Sequence, residues 1–239
     1  MHPGKIKEDR IKGMEIENNI ENLYKVFAKY NILGNLRDRS CDCCITNADI
    51  KSLLSKKLKD LSEDDLGHFL RSAITTFGDE NDYKHFLPRI FELLNSNDNL
   101  IDDFLTFEKL NYTDWKSWNQ LEIKAIENYF FALWIDALNN DSDNQYFENV
   151  LILVLEYINP NDVFKEWEKY FTENRVKIIL NYVLRGFTFN IQKDKDDAFN
   201  NWLSSKAVLE LLEKIYDKVD DEFMAKEISI AYTILEKRK

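Results

Sequence analysis

The sequence predicts an all-α fold of about ten antiparallel helices, arranged as an irregular solenoid of the HEAT or armadillo kind or as an orthogonal helical bundle. Only 6 glycines and 3 prolines occur in 239 residues, which leaves little material for the tight turns of a β-sheet. Apolar residues instead recur at three- and four-residue spacing along nearly the whole chain. No sequence signature repeats at a period of roughly 40 residues, so both arrangements stay open.

The first three helices follow from apolar spacing and from capping residues. The apolar stripe of the first helix consists of Ile16, Ile20, Leu23, Phe27 and Tyr30. A second, shorter helix is predicted at residues 47–55. The third begins after Ser62, whose hydroxyl can cap free amides, and three acidic residues that the helix dipole favours follow it. We expect this helix to reach Phe77 and to stop at Gly78, which can adopt a left-handed conformation.

A fourth helix is predicted from Asp79 or Asp82 to residue 94, with a kink or a break at Pro88, because proline lacks an amide donor and disfavours helical geometry at the preceding residue. The remaining helices are predicted at residues 99–110, 119–138, 142–158, 161–171, 173–186, 194–216 with a break near 204, and 220–237. Short polar connectors separate them and make successive helices antiparallel neighbours. We predict a single domain over residues 1–239, with a weak boundary near residues 95–99.

The charge of the chain restricts its partners. Asp and Glu number 43 against 32 Lys and Arg, so the net charge is −11 and nucleic acid and anionic membrane surfaces are repelled. No run approaches the roughly 18 apolar residues that a membrane span needs, and the N-terminus lacks the apolar core of a secretory signal. We therefore expect a cytoplasmic protein whose partner is another protein, with a basic protein compatible with the charge.

All 3 cysteines lie within four residues, at Cys41, Cys43 and Cys44. Cys41 and Cys44 have the two-residue separation that presents two thiolates to one tetrahedral ion, with Cys43 as an alternative partner for either. One such pair is half of a zinc site, and the candidates nearby for a further ligand are His85, His68, Asp79 and Asp82. The alternatives are one structural zinc ion held by Cys41, Cys44 and His85, or no cofactor, with small cysteines packed behind a turn.

The segment from residue 75 to residue 89 has the densest group of polar side chains in the chain. Asp79, Asp82, Lys84, His85 and Arg89 lie beside a glycine and a proline that can bend the chain around a cleft. An enzyme with its active site at these five residues, and with zinc on the cysteines, is one hypothesis. The alternative is structural: the aspartates serve the helix dipole, and the lysine and arginine are solvated.

Three strings in this region point to a family. These are LSEDDL at residues 61–66, TTFGD at residues 75–79 and KHFLPRIFELL at residues 84–94, and they follow the cysteine-containing loop. Together they resemble a family of uncharacterised bacterial proteins, over residues 41–94. The resemblance implies a bacterial origin and a shared structural centre, and it implies no reaction.

The remaining candidate residues are aromatic. Trp115 and Trp118 lie in a polar stretch at a helix start, so a partly exposed pair could anchor a protein partner. The sequence contains none of the phosphate-binding, zinc-protease, nucleophile-elbow or dinucleotide-binding motifs of common enzymes. We therefore predict a non-catalytic protein-binding module, of which an immunity or antitoxin protein that blocks a basic toxin is one specific form. Its binding surface would be aromatic or acidic, and the acidic runs at residues 194–197 and 217–222 are candidates for it.

Overall fold

The structure is a computed structural model that describes residues 3–95, 107–141, 143–189 and 191–238, with side chains described from residue 15 onward. The described chain is helical and contains no β-strand, only two isolated bridges that join Phe77 to Ser40 and to Ala73. The predicted all-α class is therefore confirmed. The choice between a solenoid and an orthogonal bundle stays a prediction.

The chain forms two compact units, Met1–Tyr129 and Phe130–Lys239, and the dividing point lies within one helix, Gln120–Asn139. The weak boundary predicted near residues 95–99 lies outside the described residues, except for Asn95 at the end of a helix. The single domain predicted over residues 1–239 also stays a prediction.

The helices of the first unit, in its described part, are α1 (Pro3–Phe27), α2 (Asn47–Leu53), α3 (Glu63–Ser72), α4 (Glu80–Asn95) and the beginning of α5 (Gln120–Asn139). Short 3₁₀ turns lie between them at Leu36–Arg39, Leu58–Asp60, Glu108–Thr113 and Trp115–Ser117. Helix α1 packs against α4, and four members of its predicted apolar stripe are buried, namely Ile16, Ile20, Leu23 and Phe27. Tyr30 lies beyond the end of the helix and is half-buried.

Two capping boxes fix the starts of α2 and α3. The Ser62 hydroxyl accepts a hydrogen bond from the amide of Asp65, whose carboxylate accepts one from the Ser62 amide in return. Thr46 and Asp49 make the same exchange at the start of α2. Each box provides partners for amides that a helix start leaves free, so the predicted start of α3 at Ser62 is confirmed.

Helix α3 ends at Ser72, before the predicted end at Phe77. The amides of Thr76 and Phe77 both donate to the Ser72 carbonyl, at 3.0 Å each, and this closes a tight turn. Within the turn Ile74 has a φ of 69°, a left-handed conformation that a β-branched residue rarely adopts. The turn brings Phe77 against Ser40, so the helix ends early because this contact replaces its last turn.

Helix α4 continues from Glu80 to Asn95 through Pro88, so no break occurs there, and the alternative of a kink at Pro88 stays a prediction. Proline removes only the one amide that would bond to the Lys84 carbonyl, and packing can offset that loss. Phe86, Leu87, Ile90 and Phe91 surround the proline in sequence and are all buried. Burial of this apolar face holds the helix together across the missing bond.

The second unit, in its described part, completes α5 and continues with α6 (Asn144–Tyr157), α7 (Pro160–Trp167), α8 (Glu173–Arg185), α9 (Lys193–Leu203), α10 (Lys206–Tyr216) and α11 (Glu222–Glu236). Gly186, with a φ of 67°, ends α8, and the helix predicted over residues 194–216 is interrupted after Leu203, as predicted. Aromatic rings form much of the core, and these are Trp134, Phe147, Phe164, Trp167, Phe199 and Trp202.

A buried arginine closes the C-terminal end of α5. The side chain of Arg175, on the first turn of α8, is 0% exposed and donates to the carbonyls of Ala137 and Asn140 at 2.8 and 2.6 Å. Its guanidinium also lies 3.9 Å from the centre of the Phe147 ring. The cation adds charge-assisted hydrogen bonds to two carbonyls at the end of α5, and its charge matches the negative end of the helix dipole.

Candidate functional site

The cysteines lie on one closed turn of the first unit, residues 41–45, here named the cysteine turn. It follows the 3₁₀ turn Leu36–Arg39. The Cys41 amide donates to the Thr76 carbonyl at 2.8 Å, and the amides of Cys44 and Ile45 both donate back to the Cys41 carbonyl. The turn is therefore fixed at its base to the loop between α3 and α4, and its own backbone is closed by hydrogen bonds.

The three thiols of the turn point to one place. The Cys43 sulfur lies 2.9 Å from the Cys41 sulfur and 3.4 Å from the Cys44 sulfur, and all three lie within 4.8 Å of one another. None forms a disulfide, and Cys43 and Cys44 are exposed. This group can hold a metal ion.

The thiols differ in acidity. Hydrogen bonds from the side chain and backbone of Cys43, and then from Cys44, lower the pKa of Cys41 to about 7. Hydrogen bonds with the Cys41 side chain and then with the Cys44 side chain, together with the charges of both, raise the pKa of Cys43 to about 11. A hydrogen bond to the charged form favours that form, so Cys41 loses its proton more readily than Cys43 does.

His85 does not join the cysteines in the structure. Its Nδ1 lies 2.9 Å from the backbone carbonyl oxygen of Tyr30, and among the described residues the gathered metal-ligand group consists of the cysteines alone. His68 instead lies 3.1 Å from an Asp49 carboxylate oxygen. The predicted set of Cys41, Cys44 and His85 is therefore not brought together, and Cys43 is the third member of the group.

Arg39, two positions before the cysteine turn, binds the segment that leads into α4. The Gly78 amide donates to the Arg39 carbonyl at 3.0 Å, and the Arg39 guanidinium binds the buried Asp82 carboxylate at two points. A second carboxylate, that of Asp79, lies 3.3 Å from the same guanidinium. Two of the five residues predicted for an active site thus hold the cysteine turn in place.

Lys84 faces the interior of the first unit. It is only 7% exposed, which contradicts a solvated lysine, and its ammonium lies 2.8 Å from Glu80 and 3.8 Å from the buried Glu122. The same ammonium lies 4.0 Å from the centre of the Trp118 ring, within cation–π range. Glu122 also accepts a hydrogen bond from Tyr30 and pairs with Lys29, which lies just beyond the end of α1, each at 2.6 Å.

Arg89 binds a different segment. Its Nε donates to the Leu61 carbonyl at 2.7 Å and its Nη1 to the Glu92 carboxylate at 2.6 Å. Asp79 and Asp82 thus both bind Arg39. Lys84, His85 and Arg89 each bind a different partner. They do not converge on a shared cleft.

Trp115 and Trp118 are core residues, which corrects the prediction of a partly exposed pair. They are 4% and 6% exposed. The Trp118 ring packs edge-on against Phe27 at 6.0 Å between centroids, and Lys116 covers the Trp115 ring at 3.8 Å. The polar neighbours face outward on short 3₁₀ turns while the rings turn inward, so this pair offers no surface to a partner.

An open groove of about 310 Å³ lies between α10 and α11 in the second unit. It is named the acidic groove, and it is lined by Leu212, Glu213, Tyr216, Asp217, Ile228, Ser229, Tyr232 and Thr233. Its apolar floor comes from Leu212 and Ile228, which are buried, while Tyr216 is 48% exposed at its edge. Every charged side chain of the lining is acidic.

The tyrosine and carboxylate groups of the acidic groove are coupled. A hydrogen bond to the Glu213 carboxylate, burial, and the charges of Glu213 and Glu236 raise the pKa of Tyr232. Tyr232 therefore keeps its proton and holds the Glu213 carboxylate in the groove. The sequence pointed to Asp217 as part of an acidic run, but it gave no signal that Glu213 and Tyr232, on different helices, meet.

A second groove lies between α8 and α11, and its charges are mixed. Lys177 and Arg185 line it together with Asp221 and Glu227, and Arg185 pairs with Glu227 at 2.6 Å. Phe223, at its edge, is 66% exposed. Because its lining contains both acidic and basic groups and one such pair is joined, this groove has a weaker preference for a charged ligand than the acidic groove.

Comparison with protein-family models, with curated proteins and with solved structures finds no match to this chain. The resemblance of residues 41–94 to a bacterial family therefore stays a prediction. In the part of the chain that the structure describes, no helix has the length and apolar character that crossing a bilayer requires.

Proposed function

We propose that this protein is a non-catalytic helical binding protein that holds a basic segment of another protein in the acidic groove. The observation that carries the proposal is the charge of the groove lining, whose two charged side chains, Glu213 and Asp217, are both acidic. The net charge of −11 adds a long-range attraction for a cationic partner. The prediction of an aromatic anchor at Trp115 and Trp118 is replaced by this surface, because both tryptophans are buried.

The groove fits an arginine or lysine side chain in particular. Such a side chain has an apolar stem and a charged end, and it prefers to bury the first and to pair the second. Leu212 and Ile228 provide an apolar floor for the stem. The faces of Tyr216 and Tyr232 and the carboxylates of Glu213 and Asp217 provide partners for the cation.

An enzyme with its active site at Asp79, Asp82, Lys84, His85 and Arg89 has less support. A catalytic group must reach substrate, whereas the polar atoms of these residues bind Arg39, Glu122, Tyr30 and Leu61 within the chain. The specific form of binding protein that we propose is an immunity or antitoxin protein that neutralises a basic toxin. We place it in the cytoplasm, because three neighbouring free thiols persist most readily in a reducing compartment.

The proposal is tested with a fluorescein-labelled peptide that has arginine at every second position. We expect the full chain to bind it, as measured by fluorescence anisotropy, and to bind the matched citrulline peptide at least about tenfold more weakly, since citrulline has the same shape without the charge. The double variant Glu213→Gln/Asp217→Asn should lose at least about tenfold in affinity for the arginine peptide.

A matched control separates the groove from the overall charge. Asp194→Asn/Asp197→Asn changes the net charge equally at two exposed residues that lie outside the acidic groove. We expect this variant to keep affinity within about twofold of the unchanged protein, because exposed charges far from a ligand are screened by salt. Equal losses in both double variants would show attraction by net charge alone and would overturn the proposed groove.

A further inference from the structure

We infer that Cys41, Cys43 and Cys44 form a three-thiolate site for one thiophilic d¹⁰ cation, of which the cuprous ion is the probe. The site lies in the first unit, and it is independent of the acidic groove and of any partner bound there. Soft thiolate ligands favour soft cations such as copper(I) over hard ones such as magnesium or calcium.

Hydrogen bonds within the chain hold the cysteine turn in position. Besides the bonds of the Cys41, Cys44 and Ile45 amides, the Arg37 guanidinium donates to the Ile45 carbonyl at 2.6 Å and to the Asp42 carboxylate at 3.2 Å. Because both ends of the turn are tied, the sulfurs start close together. Less conformational entropy is then lost when an ion binds than if the ligands came from a mobile chain.

The sulfur positions suit three bonds to one ion. Metal–sulfur bonds of about 2.3 Å place three sulfurs of a planar site about 4 Å apart. The sulfurs here lie 2.9 and 3.4 Å apart across Cys43, and within 4.8 Å in all pairs. Small rotations of exposed side chains therefore suffice, and the exposure of Cys43 and Cys44 leaves the ion a path to the site.

The number of ligands favours three-coordination. A closed structural zinc site needs four protein ligands, and no histidine or carboxylate in the described part of the chain joins the three sulfurs. The structural zinc ion predicted with His85 would thus lack that ligand, since His85 lies against the Tyr30 carbonyl. Copper(I) does not need a fourth ligand when three thiolates are present.

Binding is a proton exchange without a change of oxidation state. One copper(I) ion forms three copper–sulfur bonds, and the protons still bound to the three sulfurs pass to solvent. The three bonds form only as the thiols lose their protons, so the affinity for copper(I) rises with pH.

The test is an anaerobic titration of the full reduced chain with copper(I) in competition with bathocuproine disulfonate. We expect one ion per chain, a thiolate-to-copper absorption band in the ultraviolet, and an X-ray absorption spectrum that fits three sulfur neighbours at about 2.3 Å. Copper that stays with the chelator, or a spectrum that requires nitrogen ligands, would overturn the inference.

Variants on the exposed turn complete the test. Cys43→Ser and Cys44→Ser should each lower the affinity for copper(I) at least about 100-fold, and far-ultraviolet circular dichroism should show that both stay folded. His85→Ala should leave the affinity within about twofold, because this side chain is not a ligand. A full complement of tetrahedral zinc or cobalt that His85→Ala abolishes would favour the predicted zinc site and contradict the three-thiolate site.

Discussion

The Arg39 guanidinium binds the Asp82 carboxylate at two points: Nε donates to Oδ2 and Nη2 donates to Oδ1, each at 2.8 Å. Arg39 lies two positions before the cysteine turn, and Asp82 lies in the first turn of α4 with 1% of its surface exposed. Asp82 also accepts a bond from the Asp79 amide, so one carboxylate caps the helix and holds the turn. Charge-assisted bonds of this geometry are among the stronger polar contacts in proteins.

Asp82→Asn should lower the free energy of unfolding by about 3 kcal/mol, because it leaves the guanidinium of Arg39 beside a neutral amide that cannot accept both bonds. Urea denaturation followed by circular dichroism measures the change. The control is Asp42→Asn, which removes a carboxylate that is 92% exposed in its pair with Arg37, and which should change the free energy by less than about 0.5 kcal/mol. Equal effects of the two substitutions would contradict a structural role for the Asp82 bond.

Substitution by alanine should destabilise the protein to different extents at Gly78 and at Gly34. Gly78 has a φ of 71°, and an added Cβ would lie 2.9 Å from an Asp82 carboxylate oxygen and 3.0 Å from the Asp82 Cβ. Gly34 has a φ of 64° but open space around its Cβ position. We expect Gly34→Ala to cost about 1 kcal/mol from backbone strain alone, and Gly78→Ala to cost at least about 2 kcal/mol from strain and overlap together. Thermal unfolding of the two variants tests this order of stability. A lower unfolding temperature for Gly34→Ala than for Gly78→Ala would contradict the prediction.

Arg175→Met should destabilise the protein by at least about 3 kcal/mol, because the carbonyls of Ala137 and Asn140 would lose the charge-assisted hydrogen bonds of the buried guanidinium. Arg185→Met is the matched control: Arg185 lies on the same helix and pairs with Glu227 while 47% exposed. Its loss should cost less than about 1 kcal/mol. Comparable urea midpoints for both variants would show that the buried bonds of Arg175 add little.

Glu122 gives the stability of the protein a pH dependence. Burial would raise the pKa of Glu122, but hydrogen bonds from Lys29 and Tyr30 and the charge of Lys84 outweigh it, so the pKa is lowered below its ordinary value near 4.5. The stability that Glu122 contributes is therefore complete above that ordinary value, and it is lost as the pH falls through the lowered value in the folded protein. The stability difference between the unchanged protein and Glu122→Gln should shrink over this window.

Denaturation curves measured from neutral pH to about pH 3 provide the test. Glu127→Gln is the control, since Glu127 is 42% exposed in its pair with Lys116 and its substitution should leave the pH profile nearly unchanged. A constant difference between Glu122→Gln and the unchanged protein at every pH would contradict the lowered pKa.

Local sequence signals predicted the features that depend on neighbours along the chain. Apolar spacing predicted the helical class, Ser62 predicted the start of α3, and Gly186 predicted the end of α8. Each of these depends on residues within one or two helical turns. The predicted end of α3 was wrong because the turn at Ile74 is held by a contact between Phe77 and Ser40, which lie far apart in sequence.

The positions of the candidate site residues depend on tertiary contacts that spacing along the sequence does not reveal. The spacing of Cys41 and Cys44 favoured a zinc pair, whereas the folded turn brings Cys43 to both. His85 was a reasonable ligand from its type, but its partner is a backbone carbonyl 55 residues earlier in the chain. Polar neighbours suggested exposure for Trp118, yet its ring is buried under Lys84. In each case a tertiary contact decided the outcome.

The bonds of Arg175 also bear on the order of folding events. They join residues separated by 38 and 35 positions, so these carbonyls of α5 cannot receive the guanidinium bonds until α8 has docked. We therefore expect the final turn of α5 to fray more readily before α8 docks. Amide hydrogen exchange in that turn should then report the docking of α8, and the two helices should open and close as one cooperative element.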